Sequence, residues 1–193
     1  YAEALQGLDV EVRPFKETVR VDIGAPFGRI EIAREALAAD VVVNLPKLKT
    51  HTQMLLTVGV KNLFGCIVGL KKPEWHMRSG VDRHMFARLL VQICRTVNPA
   101  ATLVDGILGM EGQGPGRSGV PRKLGRLVGG ASAPAVDAAV CRMLGIAPGA
   151  LPTHRAAVAL RLVPEEVAVI GDFATVARFK LPVLAPLTFG PKR

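Results

Sequence analysis

Hydrophobic and polar positions alternate along the chain in two different periods, so short strands and helices are expected in turn. A β-branched run over residues 19–23 predicts a strand. Residues 30–39, IEIAREALAA, have a helical mix of Ala, Leu, Glu and Arg, with apolar positions three and four apart, and predict a helix. The continuous apolar run at residues 41–45 predicts a strand buried on both faces. Residues 83–97 are the clearest amphipathic helix, with Met85, Phe86, Leu89, Leu90, Ile93 and Val97 on one side and Asn98-Pro99 closing it. Next come a buried strand at 101–107, a glycine-rich loop at 109–119, a strand at 127–130 and a helix at 134–144 stopped by Gly145. A late strand is expected at 167–170, and residues 181–193 read as an irregular Pro-rich tail. This order predicts an α/β fold: one domain over residues 1–193, with a mostly parallel sheet and helices on both faces. Ligands in such sheets gather at the carboxyl ends of the strands.

Composition narrows the classes. With 193 residues and 49% hydrophobic content, the chain can bury a proper core and is no disordered tail. The longest apolar stretch, residues 54–70, is interrupted by Lys61, Asn62 and three glycines, so no membrane span is expected and the chain reads as cytoplasmic. It opens at Tyr1, which suggests a fragment of a longer protein. Cys66, Cys94 and Cys141 lie far apart among apolar neighbours and read as reduced core thiols. The net charge of +9 admits nucleic acid, an acidic partner or a phosphorylated small molecule. Scarce aromatics, with no stacking ladder among the basic residues, make nucleic acid the weakest of these.

Charge is placed unevenly. Residues 41–73 hold Lys47, Lys49, Lys61, Lys71, Lys72 and His51 without one carboxylate. Surface lysines are ordinarily interleaved with acids, so this segment is suited to holding an anion from outside. After the strand, Pro46 stiffens the exit, and Lys47 and Lys49 leave the same face of an extended chain. Thr50 and His51 follow, and neighbouring lysines should keep the imidazole neutral. Thr57 is placed to cap a helix starting near Val58, where Gly59 permits close approach and Lys61 and Asn62 enter the first turn. The plain alternative is a lysine-rich loop before an ordinary apolar helix. A second acid-free stretch, residues 112–136, contains Gly112, Gly114 and Arg117 and follows Asp105 and Glu111. Its glycines could form an anion-binding nest, though the spacing matches no named nucleotide loop. His76 and His84 flank a polar connector without any metal-ligand spacing, so no metal is assigned. Trp75 reads as a packing residue or an aromatic wall.

The strings NLPKLKTH, GVKNLFG, VDGILGMEGQGP and GGASAPAVDAAVCRMLG together resemble the prokaryotic family called domain of unknown function 362, over residues 30–145. Its PKLKTH and VKN motifs fall on residues 46–51 and 60–62, its EGxGP motif on Glu111, Gly112, Gly114 and Pro115, and its helix aspartate on Asp137. Many members are described as iron–sulfur proteins because they append a ferredoxin-like domain. The resemblance therefore implies a 4Fe-4S cluster only in a part of the protein outside this chain, which has no CxxCxxC motif. A more distant similarity is to nickel-dependent lactate racemase-type domains, and it would point to His51 and Lys61. The departures are large, and nickel is not carried over.

The resulting expectation is an enzyme domain for an anionic, carboxylated or phosphorylated, small molecule. Lys49, His51 and Lys61 would be catalytic, and Lys47, Thr50, Asn62, Asp105, Glu111, Gly112, Gly114 and Arg117 would bind ligand. The alternative is a non-catalytic redox partner or scaffold docking a ferredoxin-like cluster domain. Charge-driven nucleic-acid binding ranks third.

Overall fold

The computed structural model describes residues 3–79, 82–163, 167–171 and 174–185. Two strands, β1 (Thr18–Asp22) and β2 (Arg29–Ala33), pair antiparallel in a small separate sheet, followed by a five-residue helix α1 (Arg34–Ala38). The helix expected at 30–39 is thus strand over 30–33 and helix only over 34–38. Ile30 and Ile32 alternate with Arg29 and Glu31, and pairing with β1 buries that apolar face against the core.

The main sheet is built on β6 (Ala101–Gly112), paired along its length with antiparallel β7 (Gly119–Gly130). On the other edge of β6 lie β3 (Val43–Asn44) and β4 (Lys47–His51), end to end and both parallel to it. β5 (Leu55–Thr57) then pairs antiparallel with β4. The sheet is therefore mixed, not mostly parallel. Of the segment read as a glycine-rich loop, 109–119, residues 113–118 are the tip of the β6–β7 hairpin, while 109–112 and 119 belong to its arms. The NLPKLKTH stretch, expected as a turn, is mostly a strand.

The inner face of the sheet, with Leu48, Leu55, Leu56 and Val104, packs on Val136, Val140, Cys141 and Met143 of α5 (Ala133–Met143). The opposite face is not covered by helices as expected. Val43, Leu103, Ile107 and Leu127 are exposed there, beside Val41 and Leu45 at 65% each. The short β3 is thus not buried on both faces. An ion pair between Lys47 and Asp105, 2.6 Å, stands on the same open face.

A second core surrounds α4 (Arg83–Val97), whose apolar side packs on β2, on α2 (Gly59–Asn62) and on the 3₁₀ turn Leu63–Cys66. The helix starts and stops as the sequence predicts: Asp82 caps its first turn and Asn98 ends it at φ 48°. Helix α6 (Pro152–Ala159) packs on α4 and α5, and α3 (Lys71–Ser79) completes that side. Trp75 of α3 is buried edge-on against Phe27, 6.0 Å between ring centres. Residues 167–170 form no strand. All three cysteines are free and buried, and burial raises each thiol pKa, Cys66 to about 11.

Candidate functional site

Helix α2 follows β5 directly, and its start is supplied from far along the chain. Thr57 ends β5 rather than capping the helix, and Val58 offers no side-chain cap. The carboxylate of Asp137 on α5 accepts the backbone N–H of Gly59 at 2.7 Å and of Val60 at 3.3 Å. The free amides expected to greet an external anion are occupied by an internal one. Only glycine fits at 59, because an added Cβ would lie 2.9 Å from Asp137 Oδ1 and 3.0 Å from Thr102 Cγ2. Asn62 Nδ2 donates to Asn44 Oδ1 at 2.8 Å, and Asn44 Nδ2 donates to Gly59 O at 2.9 Å, tying α2 to β3.

Pinned this way, α2 turns Lys61 inward. Its side chain is 8% exposed, with Nζ 5.5 Å from the Phe64 ring centre and 5.7 Å from that of Phe86. Lys72 Nζ lies 5.9 Å from the Phe64 ring. His76 stacks on the same two rings, 5.1 Å from Phe64 and 4.6 Å from Phe86. His51, at the end of β4, is also 8% exposed, and its Nδ1 accepts the Gln53 N–H at 3.2 Å, which leaves the proton on Nε2. Three elements thus bring four basic groups around two phenylalanines. Among the described residues, Lys61 makes no hydrogen bond and no ion pair.

The electrostatics follow. Burial, then the Lys72 charge, lowers Lys61 to about 8. Burial, Lys61 and His76 hold His51 at about 3, and burial, Lys61 and Lys72 hold His76 at about 4. At neutral pH both imidazoles are uncharged. A histidine whose pKa is depressed by folding contributes stability that is complete above its unfolded value, 6.5, and lost as pH falls toward the folded one. His51 alone should therefore remove about 3 kcal/mol of stability between pH 7 and about pH 4.5. Urea unfolding at both pH values, with His51→Leu losing much of the slope, checks this.

The family model described as Domain of unknown function (DUF362) matches residues 1–142. The chain belongs to that family. It is also 37% identical, over 199 aligned positions, to the thylakoid-associated protein sll1697 of Synechocystis sp.. That alignment takes in 100% of this chain and 62% of the relative, so the chain spans about three-fifths of the relative's length. No solved structure shows significant similarity to it.

In this DUF362 chain the residues singled out from sequence divide into groups. His51 and Lys61 come together at the rings. Asn62 serves the Asn44 contact. Lys47 is paired with Asp105, which also accepts the Ile107 N–H at 3.0 Å, and the Lys47 ammonium holds the Asp105 carboxyl below its ordinary range. Lys49 makes no hydrogen bond or ion pair among the described residues. Thr50 Oγ1 accepts the Gly114 N–H at 3.2 Å, and Gly114 O accepts the Thr52 N–H at 3.0 Å, so the hairpin tip seals the end of β4. An added Cβ on Gly114 would stand 2.5 Å from Thr50 O, so Gly114→Ala should lower the unfolding free energy by about 2 kcal/mol or more, read by thermal denaturation. Buried Glu111 accepts the Lys180 N–H at 3.1 Å, and the Gly112 N–H donates to Lys180 O at 2.8 Å, fastening the later segment. Arg117 is exposed at the tip.

Sequence reasoning left Lys72, His76, Phe64 and Phe86 out of the site. One signal was present: Lys72 and His76 are four apart, hence on one face of α3. The phenylalanines carried none, because an aromatic residue at helical spacing reads first as core. Among the described residues no group of three or more His, Cys, Asp or Glu side chains could hold a metal ion.

Proposed function

We propose that this chain is an enzyme domain that binds an anionic, carboxylated or phosphorylated, small molecule at the Lys61–Lys72–His51–His76 cluster. The observation that carries the reading is the Lys61 ammonium, nine-tenths buried without an ion-pair partner among the described residues. A buried unpaired charge is costly, and a bound anion would offset that cost. The ammonium keeps some contact with solvent, since Lys61 Nζ is not among the fully enclosed side-chain atoms. Lys61 and Lys72 would supply charge, the two neutral imidazoles would take or give a proton, and the rings would keep the dielectric low.

Binding should weaken as pH rises through about 8, where Lys61 loses its proton. Calorimetric titration with inorganic phosphate and with malonate between pH 6.5 and pH 9.5 tests this. A pH-independent affinity, or binding unchanged in Lys61→Met, overturns the reading. Lys49→Ala in the same titration sets the extent of the site. Lost binding extends it along β4 to the Lys47–Asp105 face, and unchanged binding confines it to the rings.

The reading takes the chain as a cytoplasmic domain. No described helix is long and apolar enough to cross a membrane, and the relative's thylakoid association is compatible with attachment to a membrane-bound assembly. The second reading, a non-catalytic scaffold for an iron–sulfur domain, is favoured by the open apolar sheet face, a surface that such a domain could cover. Salt-sensitive capture of a ferredoxin, lost in Lys47→Glu, would separate it from the enzyme reading. Nucleic-acid binding has less support, because the cations of the cluster surround buried rings rather than lining a surface.

A further inference from the structure

We propose that Lys61 is a carbonyl-reactive lysine, whose Nζ forms an imine with a 2-oxo acid held through its carboxylate by Lys72. The proposal rests on the anion-binding reading of the same cluster and names its ligand class. Four observations converge on it. Lys61 has no described hydrogen-bond acceptor or carboxylate that would have to be displaced before its nitrogen attacks. Two ring faces stand within 6 Å of Nζ and help to bury it, and that desolvation outweighs the rings' own pull on a cation and favours the uncharged amine. A second ammonium, Lys72, lies over one of the same rings, where it both disfavours charge on Lys61 and can hold a carboxylate. Neutral His51 and His76 are coupled electrostatically to Lys61 and provide bases.

The charged and titratable groups acting here come from each neighbouring element: His51 from β4, Lys72 and His76 from α3, and Cys66 at the end of the 3₁₀ turn, its thiol held protonated by burial. α4 contributes Phe86. No carboxylate bonds to Lys61 or Lys72 among the described residues.

The step balances within the site. The Nζ lone pair attacks the carbonyl carbon, a C–N bond forms, and the C=O π pair moves to oxygen, which takes a proton. An imidazole carries the first of the two Nζ protons to that oxygen, giving a carbinolamine, and then carries the second to its hydroxyl. The C–O bond then breaks, water leaves, and the nitrogen lone pair closes the C=N bond. The bound carboxylate raises both imidazole pKa values from their depressed positions, which makes the proton relay easier at neutral pH.

The test is reductive trapping. The folded chain is incubated with glyoxylate and sodium cyanoborohydride, and each lysine is assayed by peptide mass spectrometry. An amine titrating at about 8 holds roughly three-hundredfold more neutral form at pH 7 than an ordinary lysine. Lys61 should therefore label ahead of exposed Lys16 and Lys71 and of half-buried Lys49, with a rate rising through pH 8. In urea that lead should vanish. Lys72→Met raises the Lys61 pKa and so should slow labelling by both aldehydes, but by glyoxylate more than by acetaldehyde, which has no carboxylate. Labelling ordered by exposure, with Lys61 unmodified in the folded chain, overturns the proposal. Phosphate and malonate titrations on the same preparation tell the two failures apart. If those anions still bind while Lys61 stays unlabelled, the imine falls and the anion site stands. If neither occurs, both fall.

Discussion

Lys61→Met is expected to raise the unfolding free energy at pH 7 by about 3 kcal/mol while abolishing anion binding. The ordinary lysine pKa of 10.5 is lowered to about 8 here. At about 1.4 kcal/mol per pH unit, holding the charge in this setting costs about 3 kcal/mol. Between those two pH values the unfolded chain binds more protons than the folded one. Wild-type stability should therefore rise from pH 8 to 10.5, and that slope should be missing in the methionine variant. Methionine keeps the length of the side chain and its contacts with Phe64 and Phe86, so the change removes charge more than volume. The histidines report on the same charge. With Lys61 gone, the pKa values of His51 and His76 should both move up, seen as proton chemical-shift titrations. Denaturant curves at pH 7 and pH 10 check the stability claim. A variant less stable than wild type at pH 7 would show that the ammonium is structurally needed rather than held for use.

The second large effect is at Asp137. Asp137→Ala should cost about 3–4 kcal/mol, because it leaves two backbone donors of α2 unpaired in the interior and opens a void between α2 and α5. Asp137→Asn keeps one acceptor and should cost about half as much. Burial pushes this carboxyl up to about 7 against the pull of the Val60 and Gly59 amides. A carboxyl raised by folding contributes stability that is lost as pH rises through its folded value. The Asn variant, which cannot ionise, should therefore come closer to wild type as pH climbs from about 4 to about 7, with no further change above that. Equilibrium unfolding of the three proteins at pH 5.5 and 8 measures both claims. A loss below 1 kcal/mol for the alanine variant would mean that α2 is held by the Asn44–Asn62 contact alone. Because α2 carries Lys61 into the ring cluster, Asp137→Ala should also weaken phosphate binding.

How far these features were visible in the chain differs from residue to residue. The amphipathic 83–97 helix was legible to its end, because its periodicity and its Asn98-Pro99 stop agree, while the Asp82 cap came from the structure. The helix expected at 134–144 runs over Ala133–Met143, with left-handed Gly145 just past its end and a Ser132 cap that only the structure showed. IEIAREALAA was half legible: its helical composition holds over 34–38, but pairing with β1 draws the alternating residues 30–33 into a strand. The glycine-rich segment misled in the same way. Its glycines suit a loop, yet Gly106, Gly109 and Gly119 sit where neighbouring side chains or backbone come so close that a Cβ would crowd them, as a tightly packed hairpin requires.

The chain by itself determined that cations would outnumber acids around residues 41–73, since charge is a property of composition and needs no fold. It also determined that an α/β core would form and that His51 and Lys61 were worth singling out. It could not say which lysines would stay in water. Lys47 and Lys49 stand on the open sheet face, one of them paired with Asp105, because their strand alternates and only Leu48 and Thr50 point to the packed side. Lys61 is buried because a carboxylate 76 residues away holds the helix that carries it, and because Phe64, Phe86 and His76 close around it. Desolvation depends on what packs on every side of a group, and those neighbours come from segments distant in the sequence. The acid-free run was therefore legible as an excess of positive charge, but only the tertiary structure selected the one ammonium whose burial makes it chemically unusual.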